Sequence, residues 1–258
     1  MKDQLQIDEN RKLLLRLCFD GSAYHGWQVQ KNAITVQQVL QDALMKVFVT
    51  RPDVIGCSRT DAGVHANDFC CSFETGSKLS CEVIVRAINA YLPFDIAVKE
   101  CFEVENTFHA RYDTVAKEYI YKILDEEKRN PFLYKYSLHY SHKLDCEAMY
   151  IASRSFLGEH DFTSFCSAGG SVKDMVRNVM LFEIERQDNL VILRIRADGF
   201  LYNMVRIMVG TLLYVSAGRI FYGDVANIIS ARNRKLAGPT APAHGLYLNR
   251  VFYKNDIQ

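Results

Sequence analysis

The feature that most constrains the fold is the order in which strand-like and helix-like segments alternate along the first half of the chain. Thr35 and Ser80 each precede a segment whose apolar residues recur at helical spacing, and the second segment stops before Pro93. The apolar or alternating segments that predict strands lie at 13–20, 54–58, 68–74 and 95–105. The first half therefore predicts the order strand, helix, strand, strand, helix, strand.

A similar order recurs in the second half of the chain. Residues 117–124 alternate as a strand, and Asp145 can cap a helix that extends to about Leu157. The remaining predicted elements are a hairpin of strands 177–187 and 189–198, a helix over 201–218 that ends at Gly218, and a strand over 245–254. The second half thus repeats the design of the first.

This repeated order predicts an α+β protein of two similar halves, residues 1–107 and 108–258. We expect mainly antiparallel sheets with helices packed on one face, which is typical of this class. Two halves of like design leave a cleft between them, and junctions of this kind favour binding sites. The N-terminal half would carry a reactive loop, and the C-terminal half would complete the cleft.

Composition limits what the chain can be. Its 258 residues are 49% hydrophobic, which is enough to bury one large core or two modest ones. The polar segment 1–12 contains no apolar signal sequence, and the apolar run 207–215 is too short for a membrane span, so we expect a cytoplasmic protein without a membrane partner. The formal net charge of +1 means that any basic surface must arise from the placement of side chains.

Several common functional motifs are absent from the sequence. The eight cysteines are scattered without CxxC spacing and no HExxH occurs, so we expect reduced, buried cysteines and no metal site. The phosphate-binding loop, the dinucleotide fingerprint and the hydrolase nucleophile motif are also missing. Arg232, Arg234 and Lys235 are interpreted as basic residues in the last turn of a helix, where they complement the helix dipole.

The segment RTDAGVHA, residues 59–66, carries the most reactive group of side chains. It lies between the strands predicted at 54–58 and near 68, so Asp61 is expected in a loop, where reactive side chains concentrate. The residue types allow two interpretations. Asp61 and Gly63 could simply form a turn whose carboxylate is paired with a nearby arginine, or Asp61 could be a catalytic carboxylate. His65 is interpreted as a residue that orients the loop.

Seven segments in order along the chain resemble signature segments of one family. They are FDGSAYHGWQVQ, GCSRTDAGVHA, NAYLPFDIAV, FHARYDTVAKEYIY, SVKDMVRNV, DGFLYNMVRIMVGTL and GPTAPAHGLYL. Together they resemble the tRNA pseudouridine synthase A (TruA) family. The resemblance implies the pseudouridine synthase fold, a homodimer, and isomerisation of uridine to pseudouridine in the anticodon arm of tRNA at positions 38, 39 and 40. It also implies that no cofactor or metal is needed.

The resemblance assigns roles to five residues of this sequence. Asp61 falls on the essential aspartate of the family, and Arg206 on the arginine that pairs with it across the cleft. Tyr119 falls on the tyrosine that stacks on the flipped uracil, and base stacking on an aromatic ring stabilises by about 1–3 kcal/mol. Leu246 would form an apolar wall of the uracil pocket, and Arg59 would enter the anticodon arm and hold the extruded nucleotide.

Alternatives remain open at this point. Asp61 could attack C1′ of the ribose, attack C6 of the base, or only abstract a proton. A noncatalytic RNA-binding protein or RNA chaperone could use the same cleft without needing Asp61. A carboxylate-dependent hydrolase would need a second acid, and no other Asp or Glu accompanies Asp61 in its motif. The near-neutral charge predicts salt-dependent tRNA binding unless a homodimer assembles a composite basic face.

Overall fold

Strands and helices alternate in the first half in the order that the sequence predicts. The computed structural model describes residues 10–169 and 172–254 of the chain. The elements of this half are β1 (Arg11–Phe19), α1 (Val36–Phe48), β2 (Ile55–Gly56), β3 (His65–Thr75), α2 (Cys81–Asn89) and β4 (Ile96–Val104). Both predicted caps are confirmed, because the hydroxyls of Thr35 and Ser80 accept hydrogen bonds from backbone amides in the first turns of α1 and α2.

The second half repeats a strand and helix alternation with additional short strands. Its elements are β5 (Thr114–Asp125), β6 (Leu138–Tyr140), α3 (Cys146–Ser153), β7 (Gly158–Asp161), β8 (Val176–Gln187), β9 (Leu190–Ala197), α4 (Met204–Ser216), α5 (Val225–Ser230) and β10 (Leu246–Tyr253). The predicted hairpin is confirmed as β8 and β9, with Asp188 at a φ of 51° in the turn. Gly218 follows α4 at a φ of 68°, so the predicted end of that helix is also confirmed.

One continuous sheet joins the two halves. Ten strands of the described chain belong to it, in the order β4-β1-β3-β10-β5-β9-β8-β7, with β2 added to β3 and β6 added to β5. Most neighbours are antiparallel, as predicted, but β10 pairs in parallel with β3, placing Tyr247 opposite His65. The last strand of the chain therefore lies between the first half and β5, and it brings Leu246 beside the loop that contains Asp61.

The core extends through both halves as one cluster of buried apolar side chains. Helix α1 contacts α2, α2 contacts β4, and α3 contacts both α4 and β8. Strand β9 shows why the sequence pattern predicts a half-buried strand, since its side chains alternate between buried and partly buried along its whole length. Among the residues described, no helix is long and apolar enough to cross a membrane. The division into domains at residue 107 stays a prediction.

The interpretation of the basic residues that follow α5 is wrong. Helix α5 ends at Ser230, and Arg232 already has a left-handed backbone with a φ of 48°. Arg232 pairs with Asp161 at 3.0 Å. Arg234 instead donates hydrogen bonds to the carbonyl oxygens of Ala237 and Gly238, at 3.4 and 2.9 Å. Backbone turns, not the dipole of a helix, therefore decide where these cations lie.

Candidate active site

A cavity of about 350 Å³ lies where the two halves meet, and all five residues predicted for the site line it. They come from different elements, namely the loop before β3, strand β5, helix α4 and the start of β10. The five residues are Arg59, Asp61, Tyr119, Arg206 and Leu246. The volume falls at the lower end of the range for small-molecule pockets, which suits one nucleotide.

The loop that carries Asp61 is fixed by close backbone contact with the segment after β1. A Cβ atom on Gly21 would lie 2.0 Å from the carbonyl oxygen of Val64, and one on Gly26 would lie 2.3 Å from that of Thr60. Only glycine allows these two approaches. The backbone amides of Trp27 and Gly63 also form hydrogen bonds across this contact. Two sequence segments of the family resemblance are therefore one structural unit that holds Asp61 in place.

Asp61 forms an ion pair with Arg206 from the other half of the molecule. Nη1 of Arg206 donates to Oδ2 of Asp61 at 3.0 Å and to Oδ1 of Asn203 at 2.7 Å, and Nε donates to the carbonyl oxygen of Ala241 at 2.7 Å. The Asp61 side chain remains 29% exposed, so its second carboxylate oxygen can face the cavity. Arg206, and not the neighbouring Arg59, satisfies the carboxylate, and the arrangement is more than a local turn.

A tightly packed loop fixes Arg206 in turn. A Cβ atom on Gly210 of α4 would lie 1.7 Å from the carbonyl oxygen of Pro239, and one on Gly238 would lie 2.5 Å from backbone atoms of Gly210. The loop therefore rests directly on the helix backbone. Its position is secured by Thr211, whose hydroxyl oxygen accepts a hydrogen bond from the Gly238 amide at 2.9 Å. This contact sets the carbonyl of Ala241 against the guanidinium group.

Tyr119 lies on the wall of the cavity. Its side chain is 6% exposed, and its ring packs edge-on against Phe200 with the ring centroids 5.0 Å apart. Its hydroxyl lies 3.4 Å from the hydroxyl of Ser58. Burial raises the pKa of the Tyr119 phenol well above its usual range, and the nearby Asp61 adds to this shift. The phenol is therefore neutral at physiological pH.

Leu246 and Arg59 occupy opposite parts of the cavity. Leu246 is 5% exposed and begins β10, so the parallel pairing of β10 with β3 presents it as an apolar wall. Arg59 is exposed at the mouth of the cavity. An exposed cation at the mouth can reach a nucleic-acid backbone that approaches from solvent.

His65 lies outside the cavity that contains Asp61. It begins β3 and is 2% exposed, and its Nδ1 accepts a hydrogen bond from the Gly21 amide at 3.1 Å. Its Nε2 lies 3.0 Å from the carbonyl oxygen of Lys135 and 3.2 Å from that of His244. These contacts agree with the interpretation that His65 orients the loop. Burial lowers the pKa of His65, although Asp20 and the two carbonyls oppose the shift.

Sequence reasoning missed three polar residues that line the cavity, namely Asn203, Arg111 and Lys117. Asn203 has a left-handed backbone with a φ of 61° immediately before α4, and its amide group links Arg206 to Ser167. Asparagine tolerates this conformation better than most residues, so its position before a helical segment was a usable signal. No group of three or more metal-ligating side chains occurs within residues 10–169 and 172–254.

Comparison with known proteins identifies the family. Residues 18–113 and 152–254, more than half of the chain, match the family described as tRNA pseudouridine synthase. The chain belongs to this family. Four of the five predicted site residues lie within the matched segments, and Tyr119 lies between them.

Curated relatives within the tRNA pseudouridine synthase family resemble the chain along nearly its whole length. A tRNA pseudouridine synthase A from Acetivibrio thermocellus is 46% identical over 244 residues, which cover 95% of this chain and 99% of that protein. A tRNA pseudouridine synthase A from Bacillus pumilus is 41% identical over 246 residues, covering 95% of this chain and all of that protein, 100%. A solved chain in a Cbf5-Nop10-Gar1 complex is 12% identical and covers 93% of this chain and 59% of that chain, with a TM-score of 0.37, which is too low to support an argument.

Proposed function

We propose that the protein isomerises uridine to pseudouridine in the anticodon stem-loop of tRNA, at positions 38, 39 and 40, with Asp61 as the catalytic carboxylate. Membership of the tRNA pseudouridine synthase family supports the reaction class and the kind of RNA substrate. The single observation that carries the assignment to residues is the Asp61–Arg206 ion pair, which opens onto a cavity walled by Tyr119.

The chemistry accounts for these groups. In the reaction the bond between C1′ and N1 breaks, a bond between C1′ and C5 forms, C5 loses its proton and N1 gains one. Atoms and electrons balance within the nucleoside, so the reaction proceeds without a cofactor. A fixed carboxylate can act as the nucleophile or the base for these steps. Arg206 keeps that carboxylate oriented, with one oxygen engaged and the other directed to the substrate.

The cavity shape supports base flipping. Tyr119 and Leu246 are 6% and 5% exposed, so a base held in a helical stack could not reach them. A uridine that rotates out of the stack would lose stacking energy and regain about 1–3 kcal/mol on the Tyr119 ring. The detached uracil must also rotate to present C5 to C1′. An aromatic face and an apolar wall permit that rotation, whereas a complete set of hydrogen bonds would oppose it.

We also propose that the enzyme acts as a homodimer in the cytoplasm. A net charge of +1 is small for an RNA-binding protein, and a composite surface from two subunits would present more cations to one tRNA. Large exposed aromatic side chains support an interface, because soluble monomers rarely expose several of them. Phe94, Phe132 and Tyr134 are 112%, 84% and 62% exposed. Light scattering of the purified protein at several concentrations measures this state directly.

The proposed position of modification can be tested with unmodified tRNA transcripts. We expect pseudouridine only where a uridine occupies position 38, 39 or 40, detected by carbodiimide derivatisation and primer extension. A matched transcript with cytidines at these three positions serves as the control and should show no new stops. Stops elsewhere with none at 38 to 40 would contradict the position. Tight tRNA binding without any product would favour the RNA chaperone instead.

A further inference from the structure

Strand β5 presents a second polar residue to the cavity beside Tyr119. Side chains two residues apart on a strand point to the same face, so Lys117 and Tyr119 share the cavity face, about 7 Å apart along the strand. Glu118 points to the opposite face, where it pairs with Arg194 and Arg196 at 3.2 and 2.7 Å. The cation of Lys117 is thus separated by the sheet from the carboxylate next to it in sequence.

Lys117 has no anionic partner in the part of the chain that the structure describes. Burial is the largest cause that lowers the pKa of its ammonium group, and the cations Arg111 and Arg177 lower it further. Its neighbour Cys57 supplies no charge, because burial raises the pKa of that thiol to about 11. A partly buried cation surrounded by other cations is unfavourable in the free protein. An anionic ligand would relieve this cost.

The other charged residues of the cavity leave this role to Lys117 and its neighbour. Arg206 is already engaged through both Nε and Nη1 with Asp61, Asn203 and Ala241. Arg111 lines the cavity, and its guanidinium lies over the ring of the exposed Tyr112 without an acidic partner among the described residues. The cavity therefore contains one cation committed to the carboxylate and a separate cationic pair with nothing to neutralise it.

We propose that Lys117, together with Arg111, binds the phosphodiester that flanks the flipped uridine while the base stacks on Tyr119. This inference rests on the proposed function, since it assigns the ligand of the same cavity. Phosphate contacts fix the register of a nucleic acid without reading its sequence. Such a contact would hold the ribose still while the detached uracil rotates, so that C1′ stays beside the Asp61 carboxylate.

The test measures how salt affects the binding of unmodified tRNA to variants of the full-length protein. Each lost phosphate contact to single-stranded RNA lowers the slope of log K against log salt by about 0.7. We expect Lys117→Met and Lys117→Gln to bind about 10-fold more weakly with a slope lower by this amount, and Lys117→Arg to retain both values. Two uncharged variants ensure that poor folding of one does not decide the result, and thermal melting confirms that each is folded.

Lys122 provides a matched control on the same strand. It points to the opposite face of β5, and its ammonium lies 4.3 Å from the centroid of the Tyr247 ring. Lys122→Met should retain the wild-type slope. A wild-type slope for Lys117→Met together with a lower kcat would overturn the proposal, because it would place Lys117 on the base or on Asp61. Failure of the proposed function is separate, since then the wild type would release no tritium from [5-³H]uridine-labelled tRNA whatever the slopes.

Discussion

Substitution of Gly210 by alanine tests whether the loop packed on α4 controls the active site at a distance. The new Cβ would lie 1.7 Å from the carbonyl oxygen of Pro239, whereas carbon and oxygen atoms in contact lie at least about 3.3 Å apart. The loop must therefore shift by about 1.5 Å. That shift would break the 2.7 Å hydrogen bond between Arg206 and Ala241, and displacements of about 1 Å at a reacting group can lower rates about 100-fold.

The effect on stability should be modest. Overpacking costs about 1–3 kcal/mol, and the better helix propensity of alanine returns about 1 kcal/mol. We expect Gly210→Ala to lower kcat in the tritium-release assay about 10- to 100-fold, with a decrease in Tm of no more than about 8 °C.

Gly218 provides the matched control for this prediction. It lies just beyond the same helix at a φ of 68°, and nothing lies within 4 Å of the position of an added Cβ. Gly218→Ala should cost about 1–2 kcal/mol through backbone strain and leave kcat unchanged. Equal kcat values for Gly210→Ala and Gly218→Ala at comparable Tm would refute the argument that the loop positions Arg206.

Three further substitutions follow from the site geometry. Asn203→Gly keeps the left-handed backbone but removes the 2.7 Å contact to Arg206, so kcat should fall about 10-fold while the circular dichroism spectrum is retained. Tyr119→Leu should lower kcat/KM by about 5- to 150-fold through lost stacking, and Tyr119→Phe should retain more of it; an equal loss in both would assign the effect to the hydroxyl. Because burial lowers the pKa of His65 below its ordinary value of 6.5, the unfolded chain binds the proton first, and stability should fall as the pH drops below about 6.5. His65→Gln should flatten that decline in Tm, with a residual slope from His244, whose pKa burial also lowers.

Local sequence patterns predict most elements of the fold because each pattern depends on near neighbours. The caps at Thr35 and Ser80, the β8–β9 hairpin and the end of α4 at Gly218 all follow from side-chain chemistry within a few residues. The parallel pairing of β10 with β3 could not be predicted in this way. It depends on register between strands that are far apart in sequence, and the hydrophobic alternation of each strand is compatible with several partners.

The residues of the candidate site divide in the same way. The resemblance to the family supplied Asp61 and Arg206, which the structure places 3.0 Å apart. The residue types alone left open a local turn, since nothing in the sequence pattern shows which arginine reaches the carboxylate. Lys117 and Asn203 were missed because a lysine on a strand and an asparagine before a helix are ordinary residues until the cavity around them is known. Their roles depend on tertiary contacts.

The central claim is that Asp61 performs the isomerisation. Its most direct test is tritium release from [5-³H]uridine-labelled unmodified tRNA by the wild type and by Asp61→Asn. The asparagine variant keeps the shape of the side chain and an oxygen that can accept from Arg206, so folding and tRNA binding should be retained. The account predicts release by the wild type and none by Asp61→Asn at equal tRNA affinity. Comparable release by both proteins would contradict it.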